Sequence, residues 1–216
     1  MKVKGVIFDV DGLLVDTEKL HVKAWEKIFR KRGIYLSKPD YESGVGISDY
    51  EFLQHLKEKG KIPPGFRIDE LLNEKESIML ELADGKVKLF PGVLSLLNTL
   101  SPRFILSAAS NSEKNFVIKV LKNSGIFDYF KVVLTRNDIK RPKPFPDIYL
   151  VCLSKMGLSP EECVIIEDSP AGIKAARKAG IRCIAVSHTL PPADLKEADL
   201  ILENICVEKI MEFIKS

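Results

Sequence analysis

The earliest candidate for chemistry is a pair of carboxylates, Asp9 and Asp11, in the stretch "VIFDVDGLLVDTE" (6–18). An apolar run of strand type leads into Asp9, one apolar residue separates it from Asp11, and a glycine follows. Side chains alternate along a strand, so the two carboxylates are predicted to share a face. Like charges repel one another and resist burial, so we expect a positive group between them.

Three later apolar runs also end in groups that suit a metal ion or a phosphate. They are Ser110-Asn111-Ser112 after residues 103–109, Lys143 between two prolines after residues 131–135, and Glu167-Asp168 at the end of the run that begins at 163. In a parallel α/β sheet, ligands bind beyond the carboxyl ends of the strands, so these groups are predicted to converge. Mg²⁺ prefers carboxylate oxygens, while hydroxyls, the N–H groups of a helix start and a lysine suit a phosphate. The set therefore indicates a phosphoryl-transfer site, where positioning and charge neutralisation supply most of the catalysis.

Six short apolar runs predict the strands that would position these groups. They lie at residues 3–8, 103–109, 131–135, 163–167, 182–186 and 199–202. Their near-continuous apolarity is typical of strands that are buried on both faces. Helix patterns lie between the later runs, at 112–125 with Ser112 as the expected cap, at 145–157 and at 169–180. We therefore predict an α/β fold whose core is a Rossmann-like, doubly wound parallel sheet.

Residues 16–86 show helix patterns only, at 17–33, 48–60 and 68–85. The second pattern begins with a Ser48/Glu51 capping box, in which each side chain accepts a hydrogen bond from a backbone N–H of the helix start. An all-helical cap at 16–86 is therefore predicted to interrupt a core made of residues 1–15 and 87–216. We also expect a final helix at 205–215.

The overall composition excludes several classes of partner. The chain carries 33 basic and 30 acidic residues, a net charge of +3, which is too even to favour nucleic acid or an anionic membrane. No apolar run approaches the ~18 residues of a membrane span. The four cysteines form no C-x-x-C pair, so we expect buried thiols in a reducing compartment rather than disulfides or a zinc site. A cytoplasmic monomer is the expectation.

Four stretches of the sequence resemble, in order and spacing, the motifs of the haloacid dehalogenase superfamily. The stretches that carry the resemblance are "DVDGLLVDTE", "SAASNS", "KPFPDIYL" and "IIEDSPAGIKAARKAG", and the match runs from residue 6 to about 186. Any one motif would be weak, but four in order are specific. The subfamily resembled has a helical cap after its first motif. It includes phosphoglycolate-phosphatase-like enzymes, sugar phosphatases and β-phosphoglucomutase.

The resemblance implies phosphoryl transfer through an aspartyl-phosphate. By similarity, Asp9 is the nucleophile, and Asp11 is the general acid that protonates the leaving oxygen and then the base that activates water. Ser110 and Lys143 would hold the transferring phosphoryl group, and Asn111 would contact the substrate.

The resemblance also implies a Mg²⁺ cofactor. Asp9, the backbone carbonyl of Asp11 and Asp168 would bind the ion, with Glu167 close by. A carboxylate can attack a dianionic phosphate only where positive charge offsets the repulsion, which Mg²⁺ and Lys143 would supply.

Substrate choice is expected to lie in the cap. Thr17 resembles the family's hinge residue, and Lys75 is a candidate second phosphate ligand. His21 occupies the position where β-phosphoglucomutase-like members have a histidine near the catalytic acid. Two interpretations of His21 stay open, a site residue and an ordinary surface histidine.

One position in the cap argues against a mutase. Asp49 stands about where the mutases carry a phosphate-binding arginine, and residues 33–66 contain no arginine. A mutase has to hold a bisphosphate at both ends, and the cap end lacks the cation for this.

The sequence thus favours a Mg²⁺-dependent phosphatase that acts on a small phosphorylated metabolite, of sugar phosphate or phosphoglycolate type. β-Phosphoglucomutase activity is the alternative, with His21 and Lys75 helping to hold the sugar. A catalytically silent binding protein on the same fold is a third hypothesis, and it would normally lack the nucleophile or a metal-binding acid. A 2-haloacid dehalogenase is more distant, because those enzymes do not need Mg²⁺.

Overall fold

A six-stranded parallel sheet forms the centre of the computed structural model, which describes residues 2–85 and 87–216. The strands are β1 (Gly5–Phe8), β2 (Ile105–Ala109), β3 (Val132–Leu134), β4 (Cys163–Glu167), β5 (Arg182–Val186) and β6 (Leu200–Leu202). Each strand lies within one of the six apolar runs, so the predicted α/β fold with a doubly wound parallel sheet is confirmed.

The strand order is β3-β2-β1-β4-β5-β6, and every neighbouring pair is parallel. From β1 the chain builds the sheet outward in one direction through β2 and β3, and then returns to add β4, β5 and β6 on the other side. The order therefore reverses between β1 and β4. A crevice opens at such a reversal beyond the carboxyl ends of the two strands, and it is the usual ligand site of an open α/β sheet.

The described residues form nine α-helices. They are α1 (Glu18–Arg30), α2 (Lys38–Glu42), α3 (Asp49–Glu58), α4 (Ile68–Leu82), α5 (Val93–Leu100), α6 (Lys114–Asn123), α7 (Asp147–Met156), α8 (Pro170–Lys178) and α9 (Val207–Lys215). The first four follow β1 and precede the other five strands in the chain. We call residues 18–82, which hold these four helices, the helical insert.

Alternate residues of the strands contact opposite layers of helices. In β1, Val6 and Phe8 belong to a hydrophobic cluster with α5, α6 and α9, whereas Ile7 belongs to a second cluster with α7 and α8. All three side chains are fully buried. Burial on both faces explains why the strand sequences are almost continuously apolar rather than alternating.

The helical insert has a hydrophobic cluster of its own. Its members come from all four helices and include Trp25, Phe29, Tyr41, Phe52 and Leu71. The insert also contacts the larger cluster of the sheet, through residues such as Ala24 and Met79. The Ser48/Glu51 capping box at the start of α3 is present, with the Glu51 N–H donating to the Ser48 hydroxyl at 3.2 Å.

Some helix predictions need correction. Helices α2 and α5 were not predicted. Helix α2 has only five residues, and α5 has only eight, although its apolar positions 93, 96, 97 and 100 do have helical spacing. Ser112 does not cap α6, whose N-cap is Glu113. The Ser112 hydroxyl donates to Asp11 instead.

The division into a core of residues 1–15 and 87–216 and a cap of residues 16–86 stays a prediction. Two of its bounds, Met1 and Lys86, lie outside the described residues. Within the described part of the chain, no helix combines the length and the apolar character that crossing a membrane requires. All four cysteines are free; three of them are buried, and Cys206 is partly exposed.

Helix α8 comes very close to the end of β4 at Gly172. A Cβ atom built on this glycine would lie 1.8 Å from Oε1 of Glu167, the last residue of β4. Because Glu167 is fully buried and hydrogen-bonded, its carboxylate has no room to move away. A glycine is therefore required here to let the helix cover the carboxylate.

We expect Gly172→Ala to lower the free energy of unfolding by about 2 to 4 kcal/mol, because it overpacks a buried and charged contact. This is opposite to the usual effect of alanine for glycine inside a helix. Urea unfolding measures the change, and Gly65→Ala is the matched control, since a Cβ there meets no atom within 4 Å. Equal stability of the two variants would contradict the argument.

Candidate active site

Lys143 is the centre of a buried group of charges at the crevice between β1 and β4. Its side chain is only 3% exposed, and its ammonium donates to Asp9 Oδ1 at 2.5 Å, Glu167 Oε1 at 2.7 Å and the Ala109 carbonyl at 3.0 Å. All three N–H groups are thus satisfied. The positive group that the sequence led us to expect between Asp9 and Asp11 lies instead between Asp9 and Glu167.

Glu167 is hydrogen-bonded through both carboxylate oxygens. Oε1 accepts from Lys143 and from the Tyr149 hydroxyl, each at 2.7 Å. Oε2 accepts from the backbone N–H groups of Asp168 and Ser169 at 3.0 and 3.1 Å, and from the Ser169 hydroxyl. Burial raises the pKa of Glu167, but Lys143 and these hydrogen bonds outweigh it and hold the pKa below its usual value. The carboxylate is therefore ionised and fixes the position of Lys143.

Asp9, Glu167 and Asp168 form a cluster that could hold a metal ion. Each offers one carboxylate oxygen, and these oxygens lie within 4.8 Å of one another. Burial and the neighbouring carboxylates raise the pKa of Asp168 well above its usual value, and burial raises that of Asp9 against the lowering effect of Lys143. A divalent cation would relieve this repulsion, and buried carboxylate oxygens are the ligands that Mg²⁺ prefers. The carboxylates of Asp9 and Asp168 therefore fit Mg²⁺, whereas both oxygens of Glu167 already accept hydrogen bonds.

Asp168 is held by a residue that the sequence analysis missed. The Thr189 hydroxyl donates to Asp168 Oδ2 at 2.7 Å. Thr189 comes shortly after β5, so the same rule about the carboxyl ends of strands points to it. Gly12 approaches the same oxygen: it has φ +79°, and a Cβ there would lie 2.2 Å from Asp168 Oδ2. Glycine thus gives the chain both its left-handed turn and its close approach to Asp168.

Asp11 lies among hydroxyl groups and apart from the carboxylate cluster. Its Oδ1 accepts from Thr17 at 2.8 Å, and its Oδ2 accepts from Ser110 at 2.7 Å and Ser112 at 3.0 Å. Burial raises the pKa of Asp11, but the nearby His21 ring and the hydroxyls of Ser110 and Thr17 outweigh it and bring the pKa far below its usual range. Asp11 is therefore an ionised carboxylate with ordered donors. The predicted part of its backbone carbonyl in metal binding stays a prediction.

Asn111 holds the Lys143 loop in place. Its side-chain oxygen accepts from the backbone N–H of Lys143 at 3.0 Å, and its side-chain NH₂ group donates to the backbone carbonyl of Lys143 at 3.3 Å. The Lys143–Pro144 peptide bond is cis. The structure thus gives Asn111 a positioning contact, and its predicted contact with substrate stays a prediction.

Two of the predicted residues of the helical insert, His21 and Lys75, are in direct contact. The Lys75 ammonium lies 2.8 Å from His21 Nδ1, and His21 Nε2 lies 3.9 Å from Asp11 Oδ1. Lys75 is 3% exposed and also donates to Asp49, a residue that the sequence analysis considered only as the replacement for an arginine. The insert therefore approaches the Asp11 carboxylate through the His21 ring, whose other nitrogen contacts Lys75.

A cavity of about 690 Å³ is lined by most of these groups. Its lining includes Asp9, Asp11, Ser110, Asn111, Lys143 and Asp168 from the sheet side and Glu18, His21, Trp25, Asp49 and Lys75 from the helical insert. Of the predicted site residues, Thr17 and Glu167 lie behind the lining and support Asp11 and Lys143. Tyr149, which supports Glu167, had no signal in the sequence, because it looks like an ordinary apolar position of α7.

Comparison with known proteins supports an enzyme site. Residues 6–186 match the haloacid dehalogenase-like hydrolases. The phosphorylated carbohydrates phosphatase of Thermotoga maritima is 32% identical over 195 residues, 87% of each chain. The β-phosphoglucomutase of Bacillus subtilis is 32% identical over 211 residues, 93% of each chain. The crystal structure of β-phosphoglucomutase from Clostridium difficile superposes with a TM-score of 0.85 at 30% identity, covering 98% of this chain and 97% of that one.

The match spans all four sequence motifs and most of the chain. The prediction of an enzyme of the phosphohydrolase type, with a mutase as the alternative, is confirmed at the level of the family. The chain belongs to the haloacid dehalogenase-like hydrolase family.

Proposed function

We propose that the protein is a Mg²⁺-dependent phosphatase that hydrolyses a small phosphorylated metabolite through a phosphoryl group carried on Asp9. The observation that carries this proposal is the pairing of Asp9 with Lys143 beside Asp168, at the floor of the cavity. One carboxylate thus lies next to both a fixed cation and a second metal-binding carboxylate. This is the arrangement that lets an anionic nucleophile approach an anionic phosphate.

Asp9, Lys143 and Asp168 divide the work of the first step. Asp9 and Asp168 would hold Mg²⁺, which offsets charge on the phosphate oxygens and on the nucleophile when it is bound. A carboxylate oxygen of Asp9 forms a bond to phosphorus as the bond from phosphorus to the ester oxygen breaks. Lys143 stays held by Glu167 and the Ala109 carbonyl, and the N–H that it donates to Asp9 would pass to a phosphoryl oxygen when the substrate binds.

Asp11 would move the proton in both steps. The ester oxygen leaves as a hydroxyl with a proton from Asp11, and Asp11 later takes a proton from the water that attacks the phosphorus on Asp9. Inorganic phosphate and free Asp9 result. The ionised state of Asp11 fits the second step directly. For the first step, the incoming phosphate dianion raises the pKa of Asp11 by charge repulsion and so favours the protonated acid.

We expect Asp9→Asn to lower phosphate release by at least about a thousandfold, because an amide is not a competent nucleophile for this step. The fold should persist, since the amide oxygen can still accept from Lys143. Release of inorganic phosphate from a panel of sugar phosphates measures the effect, with circular dichroism as the check on folding. Asp128→Asn, which changes an exposed acid outside the cavity, is the control. Retained turnover in Asp9→Asn would rule out the nucleophile assignment.

We also expect EDTA to stop phosphate release and added Mg²⁺ to restore it. In Asp168→Asn, restoration should need at least about tenfold more Mg²⁺, because one anionic ligand becomes neutral. Titration of activity with Mg²⁺ measures this shift. Full activity in EDTA would contradict the metal dependence.

The similarity to β-phosphoglucomutases gives a second candidate function. Incubation with β-glucose 1-phosphate and a trace of the 1,6-bisphosphate separates the two functions. A phosphatase releases inorganic phosphate, whereas a mutase forms glucose 6-phosphate without releasing it. No turnover on any substrate would instead favour the catalytically silent protein.

A further inference from the structure

The one lysine of the helical insert that lines the cavity, within the described residues, is not free to bind an anion. Lys75 lies on α4 and is 3% exposed. Its ammonium donates to Asp49 Oδ1, contacts His21 Nδ1 at 2.8 Å and lies 5.0 Å from the centre of the Trp25 ring. Its charge is neutralised by a carboxylate, and its N–H groups point at partners within the protein.

Asp49, at the start of α3, is the residue that neutralises Lys75. Its Oδ1 also accepts from Trp25 Nε1 at 3.2 Å, so this oxygen is doubly occupied. Burial raises the pKa of Asp49, but the charge of Lys75 outweighs this effect, so the pKa lies below its usual value. The side chain is 40% exposed and lines the cavity, and among the described residues Oδ2 has no hydrogen-bond partner. Asp49 thus presents an ionised oxygen to whatever fills the cavity.

The insert side of the cavity is acidic as a whole. The carboxylates that line it are Glu18, Asp49, Glu51, Asp69 and Glu76, against the single lysine. The other cations of the lining, Lys143 and Arg136, belong to the sheet side. A substrate whose phosphate binds at Asp9 therefore extends its leaving group toward negative charge.

We propose that Asp49 determines specificity by excluding substrates whose leaving group carries a second anionic group. The inference rests on the proposed function. Sugar and polyol monophosphates have hydroxyl groups that can donate to Asp49 Oδ2, and these neutral groups are not repelled by its charge. A second phosphate, or the carboxylate of phosphoglycolate, would meet like charge on the insert side, where the single lysine is already paired with Asp49. The substrate class is thus a monophosphate ester of a neutral, hydroxyl-rich alcohol.

Binding in the absence of turnover tests this directly. Dissociation constants are measured with Mg²⁺ in the Asp9→Asn background for two matched pairs of ligands. Glucitol 6-phosphate and 6-phosphogluconate differ by a hydroxyl or a carboxylate at the far end of one open chain. Glucose 6-phosphate and glucose 1,6-bisphosphate differ by a second phosphate. We expect the neutral member of each pair to bind at least about tenfold more tightly.

Adding Asp49→Asn should reduce each preference by about tenfold, because the isosteric amide keeps an acceptor for Lys75 and Trp25 but removes the charge. Glu58→Gln, on the same helix and outside the cavity lining, is the control and should leave both preferences unchanged. In the Asp9→Asn protein that keeps Asp49, a higher salt concentration should weaken both preferences, since salt screens the repulsion. This last measurement does not depend on how well the Asp49 variant folds.

The inference would be overturned if the ligands with a second anionic group bound as tightly as the neutral ones or more tightly. It would also be overturned if neither Asp49→Asn nor salt changed the preferences. Failure of the proposed function has a different signature. If unmutated protein releases no phosphate while the binding preferences hold, the phosphatase assignment fails and the role of Asp49 in specificity stands.

Discussion

The contact of Lys143 with Asp9 and Glu167 is the interaction on which the rest of the site depends. A lysine that is 3% exposed is tolerated only because two carboxylates and a carbonyl satisfy it completely. Glu167 is in turn fixed by Tyr149 from one helix and by the backbone at the start of the next, which approaches closely enough only at a glycine. The charged centre is thus built into the packing of helices against the sheet, and its members are held in place by one another.

The sheet topology explains why these groups meet. Asp9 and Asp168 follow neighbouring strands at the reversal of strand order, so the same feature that builds the sheet outward in both directions also brings two carboxylates together. Asp11, two residues beyond Asp9, lies outside the metal-binding cluster and accepts from the hydroxyls of Thr17 and Ser110. Three aspartates within one small volume therefore have distinct surroundings, as distinct chemical roles require.

The sequence predicted the sheet and the charged residues better than it predicted their contacts. The six apolar runs and the polar groups at their ends are local features of the sequence. Each run contains one strand of the structure. The partner of Lys143 was not local, because the choice between Asp11 and Glu167 depends on how α7 and α8 pack. Ser112 was read as a helix cap, since a serine before a helical pattern usually is one. Tyr149 and Asp49 act through contacts across the fold that no spacing in the chain reveals.

The hydrophobic cluster of the helical insert affects which substitutions the enzyme can tolerate. Trp25 and Phe52 pack within the insert, whereas Phe8 and the other sheet residues pack beneath the charged centre. Substitutions in clusters that share few contacts have nearly additive effects on stability. The walls of the cavity can therefore be rebuilt for a new leaving group while the phosphoryl-transfer machinery keeps its geometry. The join is the exception, since the Thr17 hydroxyl donates to Asp11 and His21 Nε2 lies 3.9 Å from it. Under the proposed function, variation at these two residues would change recognition and catalysis together.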